Sequence, residues 1–260
     1  MTGEIRGRGR PRKTESTYTD TRNDLIRSGL ELLTQNGFLS TGVDAIVKNA
    51  SVPKGSFYYY FKSKEEYAQT VLSAYDSFFV HKLQKHLYES SFTPMMRLEN
   101  FIDDACDGIK KYNFTRGCLV GNMMQESPGL PLSFIKQLHE ILERWQALVA
   151  CCLSDALSSG EIRSDMNNTQ LAAIFWSSWE GAVMRAKLYC STQPVYDFWS
   201  YFKSQYAISP LRTRLLKSKK GAAAPDNNYQ PQAEPGFHFI SYTELLPGHE
   251  FRHSEVFRPH

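Results

Sequence analysis

From about Asp20 to residue 207, apolar residues recur at three- and four-residue spacing, a pattern that predicts a succession of helices. Ile26, Leu30 and Leu33 share one face of the first, and Gly37 stands where a left-handed glycine would end it. A second helix is predicted from Gly42 to Ala50, with Thr41 as N-cap and Asp44 three residues on as a capping-box variant. Ser51-Val52-Pro53 predicts a tight turn, because Pro53 disfavours helical geometry at Val52. A short third helix follows from Lys54 to about Phe61. Ser63 then caps a long helix to about Leu87, with Glu65 and Glu66 in its favourable first turn. Further helices are predicted near 94–112, 118–126, 131–159, 168–190 and 194–207. The best defined carries Leu138, Ile141, Leu142, Trp145, Leu148, Val149 and Cys152 at helical spacing. No strand-like alternation and no internal repeat is evident. The expected fold class is therefore all-α, with a three-helix head at 19–64 and a larger helical body at 65–208.

Two flanks depart from this pattern. Residues 1–18 are polar and basic and predict a flexible arm. Residues 209–260 are basic to about 220, then rich in Ala, Pro, Asn and Gln, and predict a poorly ordered tail.

Composition changes the picture in one respect. Hydrophobic residues make up 42% and charged residues 22%, as in an ordinary folded protein, and the net charge is only +3. Residues 1–64, however, hold 11 Lys and Arg against 6 Asp and Glu, so the basic excess sits at one end and points to an anionic partner. No apolar run approaches the ~18 residues of a membrane span, and no signal-peptide core follows Met1. The expected setting is cytoplasmic, on the nucleoid, without a membrane partner. Five cysteines without metal-type spacing predict free thiols and no metal or cofactor.

Residues 41–67 read TGVDAIVKNASVPKGSFYYYFKSKEEY. Val43, Ile46 and Val47 form the buried side of a supporting helix, and Val52 plugs the corner. Gly55 permits close approach of the third helix to a duplex, and Ser56 offers a short hydroxyl. Phe57 and Phe61 lie four apart and pack inward. Tyr58, Tyr59 and Tyr60 then fan over the other faces, with Lys62 and Lys64 at the rim. A Tyr-rich helix alone reads as core, and the lysines alone as a solvated face. Cap, turn, glycine and charge in register read instead as a DNA-binding helix-turn-helix.

This segment resembles the N-terminal domain of the TetR family. Thr41, Ile46, Val52, Gly55, Ser56, Tyr58, Tyr60, Phe61, Lys64 and Glu65 fill the family's pattern, with Tyr60 where many members have His. The resemblance implies phosphate contacts from Thr41, Tyr58, Tyr60 and Lys64, and base contacts from Lys54, Ser56 and Tyr59. It also implies a body that binds a small-molecule effector and forms a homodimer on a palindromic operator. The arm Arg6-Gly-Arg8-Gly-Arg10-Pro-Arg12-Lys13 resembles an AT-hook, whose arginines enter a narrow minor groove. As a disordered polybasic tail it would add only charge, and both readings stay open.

Arg116-Gly-Cys-Leu-Val-Gly-Asn-Met-Met-Gln-Glu126 and the stretch from Phe175 to Leu188 resemble the subgroup of TetR regulators that control acrylate use and reductases of reactive electrophiles. The resemblance covers about residues 5 to 208. Cys118 at a helix start, with Arg116 and Lys187 expected nearby, reads as a thiol of lowered pKa able to add to an electrophile. Free cysteine is also commonly a small buried apolar residue. Core packing is the expectation for Cys106, Cys151, Cys152 and Cys190. Trp145, Trp176 and Trp179 are candidate pocket residues, although tryptophan at helical spacing is more commonly core. Lys187 or Arg185 is a candidate for a carboxylate effector. Ala172, Ala173, Gly181, Ala182 and Ala186 suit close packing at a dimer interface.

The reading is a repressor released from DNA by a small molecule sensed near Cys118. The alternative is a nucleoid-associated protein whose body docks another protein. An enzyme with Cys118 as nucleophile lacks an aligned base, since the seven histidines fall in no catalytic motif.

Overall fold

The computed structural model describes residues 15–163 and 167–208. The helices are α1 (Glu15–Asn36), α2 (Val43–Asn49), α3 (Lys54–Tyr60), α4 (Lys64–Leu87), α5 (Pro94–Lys111), α6 (Leu119–Gln125), α7 (Leu132–Ser158), α8 (Asn168–Tyr189) and α9 (Gln193–Tyr206). Among the described residues, β pairing is confined to the isolated bridge Ile162–Ala207. The all-α expectation holds, and every body helix lies within two residues of its predicted limits.

Two differences occur at the N-terminal end. α1 begins at Glu15, so residues 15–18, expected in the arm, are helical. Arg8, Arg10 and Arg12, like the tail from 209, lie outside the described residues. The N-cap of α2 is Gly42 rather than Thr41, and no side chain caps that helix. Thr41 is buried and its hydroxyl donates to the Gly37 carbonyl at 2.6 Å. It ties the turn back onto α1 instead of facing forward, because the glycine between Thr41 and Val43 moves the helix start by one residue.

Elsewhere the end signals act as their chemistry requires. Gly37 has φ +82°, and its N–H bonds the Leu33 carbonyl. Ser63 accepts the Glu66 N–H at 3.1 Å, and Asn167 caps α8 by accepting from Thr169 and Gln170.

In the head, Phe57, Phe61 and Tyr67 meet with ring centroids 5.0–5.7 Å apart, and Tyr67 donates to the Leu25 carbonyl at 2.7 Å. This cluster seats α3 against α1 and α4. In the body, α7 and α8 pack together against α4, α5 and α9. Their core is aromatic: Trp145 lies 4.2 Å from Phe79 and 5.2 Å from Trp176, and Trp179 lies 5.2 Å from Phe101. Trp145 is fully buried and donates its indole N–H to Asp76 at 2.8 Å, and Arg144 holds the other Asp76 oxygen at 3.0 Å. Cys106 and Cys152 are buried as expected, but Cys151 and Cys190 are exposed. Adjacent helical residues point about 100° apart, so Cys151 and Cys152 cannot both face the core.

A candidate DNA-reading helix joined to a candidate effector cavity

α3 presents its chemistry through a division of faces. Phe57 is fully buried, while Tyr58 and Tyr59 are 55% and 70% exposed. Lys54 and Gly55 are exposed, and Ser56 and Tyr60 are half-buried. The Tyr59 and Tyr60 rings meet edge-on at 4.9 Å, which braces the outward face. Lys54 pairs with Asp44 at 2.8 Å across two exposed side chains, and that hydrogen bond and charge raise the lysine pKa. An exposed pair of this kind exchanges readily for a phosphate or base partner.

Lys64 sits elsewhere than the resemblance implies. Its ammonium lies 4.2 Å from the Phe38 ring centroid, half-buried, and burial lowers its pKa while the Glu126 charge opposes that. It belongs to a seam between the head and α6. Glu126, just after α6, accepts the backbone N–H groups of Phe38 at 2.8 Å and Leu39 at 3.2 Å. A side chain on Gly37 would strike the Glu126 carboxylate, and its backbone is left-handed. Gly37→Ala is expected to lower stability by about 1–2 kcal/mol from backbone strain, measured by urea unfolding. A loss below a few tenths would show that the seam yields freely.

The same seam caps the C-terminus of α1. Asn122 donates to the Leu33 and Thr34 carbonyls at 3.1 and 2.9 Å, and the Gly117 N–H donates to Thr34 O at 3.0 Å. Lys187 donates to Gln35 O at 2.6 Å. Helix-terminal carbonyls lack intrahelical partners, so these body groups complete the helix that carries the head.

Behind the seam lie two adjoining cavities. The larger, about 320 Å³, is mainly apolar and is lined by Tyr75, Phe78, Phe79, Trp179 and Val183, with Lys82 and Arg116 as charges. The smaller, about 200 Å³, is bounded by Gly117, Gly121, Asn122, Gln125, Glu180 and Lys187. Cys118 borders both.

Arg116, Cys118 and Trp179 therefore gather at the larger cavity, and Lys187 at the smaller. Trp145 lines neither and backs the site from the core. Arg116 pairs with Glu31 at 3.3 Å and lies 3.9 Å over the Tyr112 ring, leaving its buried Nε without a hydrogen-bond partner. Arg185 is exposed, near the Tyr189 ring, and faces away from both cavities.

The electrostatics of Cys118 reverse the sequence expectation. It is the N-cap of α6, and its Sγ accepts the Gly121 N–H at 3.5 Å. Burial nevertheless pushes the thiol well above its usual pKa, and the charge of Glu180 adds to that. Arg116 pairs with Glu31 and Lys187 donates to the Gln35 carbonyl, so both cations are directed to partners other than the thiol. Sequence reasoning missed Tyr75 and Glu180, and met Asn122 and Glu126 only as letters of the Arg116–Glu126 stretch. Their spacing carries no signal, since their partners are up to 89 residues away.

The outward face of α8 runs Ile174, Ser177, Gly181, Met184 and Leu188, with Leu188 74% exposed. Ala172, Ala182 and Ala186, expected at a dimer interface, are instead buried inside the body.

Comparison with known proteins gives two family matches: bacterial regulatory proteins of the tetR family over residues 25–69, and a tetracyclin repressor-like C-terminal domain over 94–202. The transcriptional regulator AcuR of Cereibacter sphaeroides is 42% identical over 191 residues, covering 74% of this chain and 87% of that protein. The HTH-type transcriptional repressor DhaR of a Mycobacterium species is 31% identical over 183 residues, covering 69% and 89%. The crystal structure of a regulatory protein TetR from Rhodobacter sphaeroides superimposes with a TM-score of 0.70 at 41% identity, covering 72% of this chain and 98% of that one.

Proposed function

Because the chain belongs to the TetR family of DNA-binding transcriptional regulators, we propose that it is a homodimeric cytoplasmic repressor that leaves a palindromic operator when a small electrophilic compound occupies the cavity at Cys118. Lys54, Ser56 and Tyr59 read base edges, and Tyr58 and Tyr60 hold phosphates, from a recognition helix laid in the major groove. Gly55 sits where the α3 backbone comes nearest the duplex. Thr41 and Lys64 act indirectly, by fixing the α1–α2 turn and the seam. Outward faces of α8 join two copies, and this spaces the paired α3 helices one helical turn apart.

One observation carries the reading. Gly117, Asn122 and Lys187 both line the cavities and hold the C-terminal carbonyls of α1. A ligand that moves any of them must disturb the helix on which the head is built. The open, largely apolar cavity with few polar groups suits a small molecule, and it weighs against a body that only docks protein.

The test is an operator-binding titration with acrylate, its thioesters and an oxidant, on the wild type and Cys118→Ser. Coupling of ~1–3 kcal/mol predicts operator affinity falling by about 5- to 150-fold in the wild type. Cys118→Ser is expected to lose the response to electrophiles alone. Operator binding that no compound in the series weakens would remove the electrophile reading and leave the DNA-binding assignment standing.

A further inference from the structure

Glu180 is a carboxylate with no evident structural use. It is 6% exposed on α8, and neither of its oxygens has a hydrogen-bond partner of good geometry. It borders the smaller cavity together with Cys118. The missing side chain of Gly121 leaves room for it in this position, for a Cβ there would overlap Glu180 Oε2. Burying an unpaired carboxylate is costly, and a non-ionisable side chain would fill the site at less expense. The groups that face it are the Cys118 thiol at the start of α6 and the Tyr75 phenol from α4. Lys187, two turns on along α8, borders the same cavity but donates to Gln35.

A buried thiol that must release its proton to water is nearly inert at neutral pH, since the thiolate has no solvation. A base inside the cavity removes that obstacle. We infer that Glu180 is the proton acceptor for Cys118, taking the Sγ proton as the sulfur adds to an electron-poor alkene held in the cavity. This rests on the proposed reading of Cys118 as the sensing residue. The S–H bond breaks and the S–C bond forms at the β-carbon. The alkene π pair moves to the α-carbon, which then takes the proton back from Glu180. The product is a neutral thioether with the carboxylate regenerated, and no external oxidant or reductant is needed.

Burial pushes the Glu180 carboxyl up to about 7, with the nearby Cys118 thiol partly opposing the shift. The base form therefore accumulates as pH rises through neutrality, and the rate of addition should rise with it.

The experiment follows alkylation of the full-length protein by acrylamide, with Cys118 occupancy read by peptide mass spectrometry from about pH 5 to about pH 9. Wild type should show a rate step near neutral pH. Glu180→Gln should lose that step and react roughly 100-fold more slowly at neutral pH, and Glu180→Asp should restore part of the rate. A Glu180→Gln protein that labels as fast as wild type or faster would overturn the inference, showing the carboxylate to be only an electrostatic brake on the thiol. The wild-type profile tests the same point without substitution, and a rate that climbs steadily through neutrality overturns it as well. Complete failure of Cys118 to label in the wild type would remove the electrophile reading itself, and the inference with it.

Discussion

Tyr59→Ala combined with Lys54→Ala is expected to lower operator affinity by about 100-fold or more, with the fold intact. Each good hydrogen-bonded pairing with a base edge is worth ~1–3 kcal/mol, and a two-fold-symmetric operator presents it in both half-sites. Both residues lie on the exposed side of α3, and the Lys54–Asp44 pair is a surface ion pair of the kind that adds little to stability. Tyr59 is 70% exposed, while Phe57 and Phe61 anchor the helix from the opposite side. Thermal unfolding should therefore be almost unchanged. The two single variants should differ in kind. Tyr59→Ala should weaken operator binding far more than binding to random duplex. Lys54→Ala should also flatten the dependence on salt, because a cation near the backbone releases counterions. Equal weakening on operator and random DNA for both would mean that α3 does not read sequence.

A charged pair on α8 should have an effect of similar size by another route. Met184→Glu with Leu188→Glu is expected to convert a dimer to a monomer, read by sedimentation equilibrium, and to weaken operator binding by about 100-fold or more. Met184 and Leu188 are 44% and 74% exposed and lie four apart beside Gly181, whose missing side chain meets nothing within 4 Å. Such an apolar stripe with a shallow centre suits a second helix at close range. Two half-sites engaged through such an interface would hold the protein far more tightly than either alone, so separating the copies would remove the gain without touching α3. A variant that remains dimeric would move the interface away from this stripe.

The outward face of α3 was legible in the sequence, and that of α8 only in part. The turn at Ser51-Val52-Pro53 and the alternation of inward phenylalanines with outward tyrosines are local patterns, so the head could be read from 27 consecutive letters. For α8, the small residues were visible but not their direction. Ala172, Ala182 and Ala186 turn inward to make room for the aromatic core, and the larger Met184 and Leu188 turn outward. Composition alone cannot tell a small residue packed inside a body from one packed between two copies.

The cavity at Cys118, proposed as the sensing end, was the least legible. Cys118 was found by its neighbours in sequence, and its placement at the start of α6 agrees. Its titration was not, because the helix-terminal N–H that lowers a thiol pKa is outweighed by burial and by Glu180. Trp145, a candidate for the pocket wall, lines neither cavity and stands in the core, held by Asp76.

The helix-turn-helix was thus determined by the sequence itself, because capping, helical periodicity and turn chemistry act between residues a few positions apart. That Thr41 turns back onto Gly37, that Lys64 lies against Phe38 at the seam, and that Cys118 is a buried thiol were decided only by tertiary structure. Each depends on groups brought from distant parts of the chain: Glu126 to Phe38 and Leu39, Lys187 to Gln35, Glu180 to Cys118. Burial and electrostatic fields are properties of that three-dimensional neighbourhood, and no window along the chain contains them.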